Sequence, residues 1–76
     1  MLDLASIRRV TGLTQVELAA TLGVGQAQIS KIERQSDMLL STLSAYLTAL
    51  GVTARVVVEV DEQTLLYSLT ADGAGR

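Results

Sequence analysis

The chain has 76 residues, of which 49% are hydrophobic and only two are aromatic, and its formal net charge is −2. Because cysteine and histidine are absent, disulfides are excluded, and the groups for thiolate or imidazole catalysis and for common metal sites are missing. We therefore expect one non-enzymatic domain over residues 1–76, without cofactor or metal. So many apolar residues in so small a domain favour oligomerisation.

The first predicted helix covers residues 3–11 and ends at Gly12, and a second helix follows without a linker. Thr14 and Glu17 have the spacing of a capping box, in which each side chain binds the backbone amide of the other residue. Ala19 lies one turn before Gly23, where a side chain larger than a methyl group would hold a following helix away. This spacing predicts two helices that cross at a tight turn.

The turn is predicted at Gly23, which can adopt the left-handed backbone that ends a helix, and Gly25 then caps the third helix. Ile29 and Ile32 give this third helix an inner face. Its other side chains are available to solvent or DNA, namely Gln26, Ala27, Gln28, Ser30, Lys31 and Arg34. Residues 14–34 therefore predict a helix-turn-helix motif.

A fourth helix is predicted to begin at a cap on Ser36 or Asp37 and to stop at Gly51. Leucines dominate this stretch at helical spacing, so the helix should present a broad apolar face that closes the core. The predicted face consists of Leu39, Leu40, Leu43, Leu47 and Leu50.

After the fourth helix the apolar residues alternate, which predicts a hairpin around a polar turn at residues 61–64. A lone hairpin with a bare, valine-rich edge is marginal in water, so it needs a partner. We expect residues 52–70 to dimerise the chain through Val56, Val58, Val60, Leu65, Tyr67 and Leu69. The alternative is that the hairpin folds back on its own helical core. The tail, residues 71–76, is expected to be frayed.

The sequence LTQVELAATLGV, followed by QISKIE, resembles the lambda-repressor-like class of DNA-binding domains, also called the xenobiotic-response-element class. The resemblance covers about half of the chain, and it extends less specifically through SDMLLSTLSAYLTALGV to antitoxins of the HigA and HipB type. We therefore expect a mainly α fold, with a four-helix lambda-repressor-like domain and a short C-terminal β-hairpin. Gly25 departs from the family, which often has serine or threonine there, so a hydroxyl contact to phosphate is lost.

Double-stranded DNA is the partner that this resemblance implies. Glutamine can bond adenine bidentately in the major groove, and Lys31 and Arg34 can reach guanine or phosphate. The resemblance places base contacts at Gln26, Ala27, Gln28 and Lys31. It places a phosphate contact at Gln15. The alternative for Gln15 is a solvated residue of the first turn. In a two-fold dimer, two such helices about 34 Å apart can read an inverted repeat.

The charge is divided unevenly along the chain. Residues 1–36 hold four basic and three acidic side chains, whereas residues 37–76 hold two basic and five acidic ones. The first half can approach phosphates, and Glu59, Asp61 and Glu62 around the hairpin turn would suit a basic protein partner. The alternative for these carboxylates is ordinary solvating charge.

The resemblance implies a transcriptional repressor that is the antitoxin of a type II toxin–antitoxin pair. Such a protein would autoregulate its operon and neutralise a small basic ribonuclease of the RelE or HigB type. Two alternatives are a free-standing phage-like repressor and a protein-interaction module that has kept the helix-turn-helix only as a scaffold.

No apolar run approaches the length of a membrane span, and no cationic secretory leader precedes the domain. The absence of cysteine agrees with a reducing compartment. We therefore expect a cytoplasmic protein without membrane contact.

Overall fold

The computed structural model describes residues 3–70, which form four helices followed by an antiparallel hairpin. The elements are α1 (Leu4–Thr11), α2 (Gln15–Leu22), α3 (Gln26–Arg34), α4 (Leu40–Leu50), β1 (Arg55–Val60) and β2 (Gln63–Ser68). The predicted fold class is confirmed, and the tail at 71–76 lies outside the described residues. Within residues 3–70, no helix is long and apolar enough to cross a membrane.

Local interactions fix the helix-turn-helix as its sequence predicts. Thr14 Oγ1 accepts from the Glu17 amide at 3.1 Å, and Glu17 Oε1 accepts from the Thr14 amide at 2.9 Å. The capping box at the start of α2 is therefore complete. Gly23 ends α2 at a φ of +75°, in the left-handed region that favours glycine. Gly25 is the N-cap of α3, and because glycine has no side chain, α3 begins without a side-chain capping bond.

The core is formed by apolar side chains from all four helices. Its buried members are Leu4, Leu18, Ala19, Ile29, Ile32, Tyr46, Leu47 and Leu50. Ala19 is only 4% exposed and belongs to the same buried cluster as Ile29 and Ile32 of α3. A methyl group at this position therefore lets α2 and α3 approach closely, as the spacing predicts.

The predicted start of α4 is wrong. Neither Ser36 nor Asp37 caps the helix, because its N-cap is Leu39, which makes no side-chain capping bond. Met38 packs against the core and the backbone at Leu39 is extended, with φ −66° and ψ 145°. The local capping preference of Ser36 and Asp37 therefore does not set the start of α4, and tertiary packing holds the chain just before it through Met38.

The buried face of α4 also differs from the predicted one. Leu39 and Leu40 are 73% and 62% exposed, whereas Tyr46 is completely buried. Leu47 and Leu50 lie in the core as predicted. Because α4 begins at Leu40, the core-facing stripe is centred on Tyr46, which leaves the two leucines at the start of the helix in solvent.

The hairpin has a shorter turn than predicted. Val60 pairs with Gln63, so only Asp61 and Glu62 connect the strands, and the predicted turn at 61–64 overlaps β2. Asp61 has a φ of +53°, a left-handed conformation that aspartate tolerates better than most residues. A two-residue connection of this kind holds the two strands in a defined register.

The alternative in which the hairpin folds back on the helical core is wrong. Every residue of β2 is exposed, and in β1 only Val56 is half-buried. Contact with the helical core is made at the base of the hairpin, where Val52, Ala54 and Leu69 pack against the core cluster. The Leu69 amide also donates to the Ala54 carbonyl at 2.8 Å. The strands therefore project from the helical core.

Candidate nucleic-acid interface

The outer face of α3 is polar and open to solvent. Ile29 and Ile32 face the core, with exposed fractions of 0% and 7%. The exposed side chains of α3 are those of Gln26, Ala27, Gln28, Lys31 and Arg34. A helix with exposed amides in its first turn has the shape and hydrogen-bonding groups needed to enter a major groove.

Ser30 is the one predicted contact residue on α3 that is half-buried. Its hydroxyl oxygen accepts a hydrogen bond from Arg34 Nη1, one turn further along the helix. The structure therefore joins Ser30, in the middle of α3, to Arg34 at its last residue.

The side chain of Gln15 connects the start of α2 to the start of α3. Gln26 Nε2 donates to Gln15 Oε1 at 3.2 Å, and Gln15 Nε2 donates to Glu33 Oε1 at 2.9 Å. Gln15 is half-buried. The alternative of a solvated first-turn residue is therefore wrong, because both ends of its amide are bonded to side chains of α3.

Glu33 lies at the centre of a buried group that we call the Glu33 network, made of Arg8, Gln15, Glu33 and Tyr46. Arg8 Nε donates to Glu33 Oε2 at 2.7 Å, and Arg8 Nη2 donates to Oε1 at 3.3 Å. The Tyr46 hydroxyl donates to Oε2 at 2.6 Å. The side chains of Arg8 and Glu33 are 11% and 5% exposed, so this ion pair is largely removed from water.

These contacts change the acidity of the groups involved. Burial alone would raise the pKa of Glu33, but hydrogen bonds from Arg8, Tyr46 and Gln15 outweigh it and lower the pKa to about 2. Burial, followed by the hydrogen bond to Glu33, raises the pKa of Tyr46 above its usual value. The hydrogen bond to Glu33 likewise raises the pKa of Arg8. At neutral pH the centre is therefore a carboxylate, a guanidinium and a neutral phenol.

The Glu33 network reduces the positive charge that the domain exposes to solvent. Arg8 is buried against Glu33, so it does not belong to the positive surface that the charge count along the chain indicates. The exposed basic side chains in residues 3–36 are those of Arg9, Lys31 and Arg34. Two of these three lie on α3, which concentrates positive charge on the polar helix face.

Sequence reasoning missed the roles of Arg8 and Tyr46. Arg8 lies one turn after Leu4, on the side of α1 that faces the core, and this spacing is the signal that could have identified it as buried. Tyr46 lies one turn before the buried Leu50, on the side of α4 that faces the core, and this spacing is the corresponding signal. Glu33 was visible as part of the family-like motif, but the motif alone does not say which residues it binds.

The hairpin presents an apolar surface on the side that the sequence predicts for dimerisation. We call Val56, Val58, Val60, Leu65 and Tyr67 the hairpin surface. Their positions alternate along each strand, and Val56 pairs with Tyr67 and Val58 with Leu65, so they share one face. Leu69 does not belong to this surface, because it lies beyond β2 and packs against the helical core.

The opposite side of the hairpin is less apolar. Val57 and Leu66 pair there, with exposed fractions of 55% and 61%. Their neighbours on that side are polar or charged, namely Arg55, Glu59, Thr64 and Ser68. The hairpin surface is therefore the more continuous of the two apolar areas.

Comparison with known proteins gives the class of the chain. A sequence model of the helix-turn-helix family matches residues 4–57, which include all four helices and the first part of β1. The chain therefore belongs to the helix-turn-helix family, and the lambda-repressor-like resemblance is confirmed.

Individual relatives are antitoxins by name. A Mycobacterium tuberculosis protein named antitoxin HigA3 is 45% identical over 65 residues, which are 82% of this chain and 60% of the relative. Antitoxin HigA1 of the same species is 43% identical over 58 residues, 75% of this chain and 39% of HigA1. The chain thus spans 60% of the length of the first of these curated relatives.

Two solved structures resemble the fold closely. One is described as DNA-bound antitoxin HigA3, with a TM-score of 0.78 and 42% sequence identity. The other is described as showing induced DNA bending by unique dimerisation of HigA antitoxin, with a TM-score of 0.74 and 42% identity. In each case the match covers 87% of this chain and 88% of the solved chain.

Proposed function

We propose that this chain is a sequence-specific DNA-binding repressor that also serves as an antitoxin, regulates its own operon and neutralises a RelE- or HigB-like toxin. The observation that carries the DNA-binding role is the exposed polar first turn of α3, in which Gln26 is bonded to Gln15 of α2. The names of the HigA relatives, and the DNA-bound state of one of the similar structures, support the same role.

The proposed DNA contacts divide into base readers and phosphate contacts. Gln26, Ala27 and Gln28 occupy the part of α3 that enters the groove, and Lys31 follows one turn later. Gln15 is positioned at the start of α2 for a phosphate, while Ser30 acts from the middle of α3 and Arg34 from its end. Base contacts would give specificity, and the other contacts would fix the orientation of the domain on the duplex.

We assign dimerisation to residues 52–70 within a single domain over residues 1–76. The hairpin surface is apolar and, apart from the half-buried Val56, exposed, and a second copy of the chain would cover it. The similar HigA structure that is described by its unique dimerisation supports a dimeric state. Two copies would bring two α3 helices to one side of an assembly that can bind an inverted-repeat operator.

The toxin role rests on the relatives' names and on local charge. Glu59, Asp61 and Glu62 are exposed around the hairpin turn, where they would attract a small basic ribonuclease. Reversing Asp61 and Glu62 to lysine should chiefly lower the association rate, and higher salt should shrink the difference. Asp37→Lys is the control, because Asp37 is an exposed carboxylate in the connection before α4. If the unchanged protein, the Asp61 and Glu62 double variant and Asp37→Lys all associate at the same rate in low salt, the toxin does not dock at the hairpin turn.

The proposed role is non-catalytic, since the chain has no histidine or cysteine to act as base or nucleophile. Repression of an operon requires access to chromosomal DNA, so the protein should act in the cytoplasm. A search for a duplex bound by the purified chain, starting from a randomised library, tests the DNA-binding role directly. The expected product is one inverted repeat, bound less tightly as salt rises. Enrichment of no sequence would favour the alternative of an interaction module.

Variants on α3 test which residues read the bases. Gln26→Ala combined with Lys31→Ala should remove discrimination between operator and random DNA without loss of folding, because both side chains are exposed. Arg9→Ala is the control, since it removes a positive charge from α1 and should weaken binding to all sequences alike. Unchanged specificity in the double variant would contradict the assignment.

A further inference from the structure

A chain of two hydrogen bonds links the buried carboxylate of Glu33 to the exposed amide of Gln26. Gln15 Nε2 donates to Glu33 Oε1 at 2.9 Å, and Gln15 Oε1 accepts from Gln26 Nε2 at 3.2 Å. Gln15 therefore directs its nitrogen to the buried carboxylate of Glu33 near the end of α3 and its oxygen to Gln26 at the start of α3. These bonds have a common direction, because each donor points toward Glu33.

The direction is dictated by the chemistry of Glu33. An ionised carboxylate can only accept hydrogen bonds, so Gln15 must present its nitrogen to it. The Arg8 guanidinium, also buried and bonded to both carboxylate oxygens, keeps Glu33 in this ionised form. Once the nitrogen of Gln15 faces inward, its oxygen faces Gln26, which must then donate in turn. A reversed Gln15 amide would place two acceptors against each other.

The consequence concerns Gln26, at the exposed end of these two hydrogen bonds. One N–H of Gln26 is bonded to Gln15, which leaves one N–H donor and the Oε1 acceptor for a partner outside the protein. Adenine presents the N7 acceptor and the N6 donor in the major groove, whereas guanine presents two acceptors, N7 and O6. The remaining groups of Gln26 match adenine and place an acceptor against O6 of guanine.

We propose that Glu33 is a positioning residue for base specificity, because it fixes the amide orientations of Gln15 and Gln26 so that Gln26 selects adenine over guanine. The inference rests on the proposed DNA-binding function and deepens it. Without the carboxylate, Gln15 can turn its amide, and Gln26 can then offer both of its N–H groups to guanine.

The chain offers a variant that separates this role from stability. Glu33→Gln replaces an obligatory acceptor by a group that can donate or accept, so Gln15 loses its fixed orientation. Tyr46→Phe removes a hydrogen bond to Oε2 of the same carboxylate, but it leaves Oε1 and the bond from Gln15 in place. Both variants should lower the thermal midpoint, and only the first should change base preference.

The test measures binding to two duplexes with the full chain. The duplexes carry the operator selected by the unchanged protein, and they differ by adenine or guanine at the position where Gln26→Ala loses its preference. The unchanged protein and Tyr46→Phe should prefer adenine by about tenfold or more, the size expected of one bidentate contact. Glu33→Gln should bring the ratio of the two affinities close to one. An unchanged ratio in Glu33→Gln, or an equal loss in Tyr46→Phe, would overturn the proposal.

Gln15→Leu provides a second route if Glu33→Gln does not fold. This variant keeps the bonds from Arg8 and Tyr46 to Glu33 but removes the acceptor of Gln26. Its ratio of affinities should also fall close to one, and a ratio equal to that of the unchanged protein would contradict the inference. If the unchanged protein prefers guanine at this position, the inference fails while the DNA-binding role stands. If it prefers no sequence, the proposed function itself fails.

Discussion

Arg8 of α1 and Glu33 of α3 form an ion pair with an Nε to Oε2 distance of 2.7 Å, and both side chains are almost completely buried. Glu33 also accepts from Gln15 of α2 and Tyr46 of α4, so one carboxylate joins all four helices. In a domain with so small an apolar core, this polar centre fixes the mutual arrangement of the helices. Through Gln15 it is also bonded to Gln26, and we assign both of these residues to DNA binding.

Removing Arg8 should destabilise the domain strongly. Arg8→Met leaves Glu33 as a buried charge without its cation, which should lower the free energy of unfolding by about 3–5 kcal/mol. Urea titration at a fixed chain concentration provides the measurement. Arg9→Met removes an exposed arginine from the same helix and should change the value by less than about 0.5 kcal/mol. Similar losses in the two variants would show that the ion pair does not hold the helices together.

The pKa of Glu33 predicts a loss of stability in acid. Because folding lowers this pKa from an ordinary value of 4.5 to about 2, the contribution of the carboxylate is complete above about pH 4.5 and falls away as the pH approaches 2. The loss attributable to Glu33 is at most about 3.5 kcal/mol, since one unit of pKa corresponds to about 1.4 kcal/mol. Thermal unfolding of the unchanged protein and of Glu33→Gln between pH 2 and 6 isolates the loss of stability that is due to Glu33. The two stability curves should converge toward pH 2, and a constant gap would refute the prediction.

Ala19 should tolerate no larger side chain. Ala19→Leu must fit three additional carbons into the core cluster that holds Ile29 and Ile32, which should cost about 1–3 kcal/mol of unfolding free energy. Ala20→Leu is a matched control, because Ala20 is the next residue of α2 and is exposed. Thermal unfolding of both variants gives the comparison. An Ala19→Leu protein as stable as its control would mean that α2 and α3 do not pack closely at this point.

The two sides of the hairpin should differ in their effect on assembly. Val58→Lys places a charge in the middle of the hairpin surface and should yield a monomer, because a buried lysine without a partner opposes association. Val57→Lys is the control, since Val57 is the neighbouring valine on the opposite side of β1. Sedimentation equilibrium at micromolar concentration distinguishes monomer from dimer. If Val58→Lys remains dimeric while Val57→Lys dissociates, the interface lies on the other side of the hairpin.

The sequence predicts those parts of the fold that depend on neighbouring residues. The bonds between Thr14 and Glu17, and the left-handed backbone of Gly23, are local, so spacing alone was sufficient to identify them. The start of α4 was missed because no side chain caps it, and the residue before its N-cap, Met38, packs against the core. Packing of this kind depends on residues that are distant in the chain.

The candidate site shows the same division. Periodicity separated the inner residue Ile29 from the outer residue Gln26, because a helix fixes which side chains share a face. The partnership of Arg8 with Glu33 spans 25 residues and joins two helices, so no local pattern reveals it. The bond between Gln15 and Glu33 depends on the same helix arrangement and became apparent only in the folded chain.

The central claim is that two copies of this chain read an inverted repeat through α3. Fluorescence anisotropy with the selected operator and a scrambled duplex, each at two salt concentrations, tests it most directly, with the binding stoichiometry determined in the same titration. We expect two chains per operator, an affinity at least about a thousandfold higher than for scrambled DNA, and weaker binding to both duplexes at higher salt. Equal affinity for the two duplexes, or no binding that depends on salt, would contradict the claim.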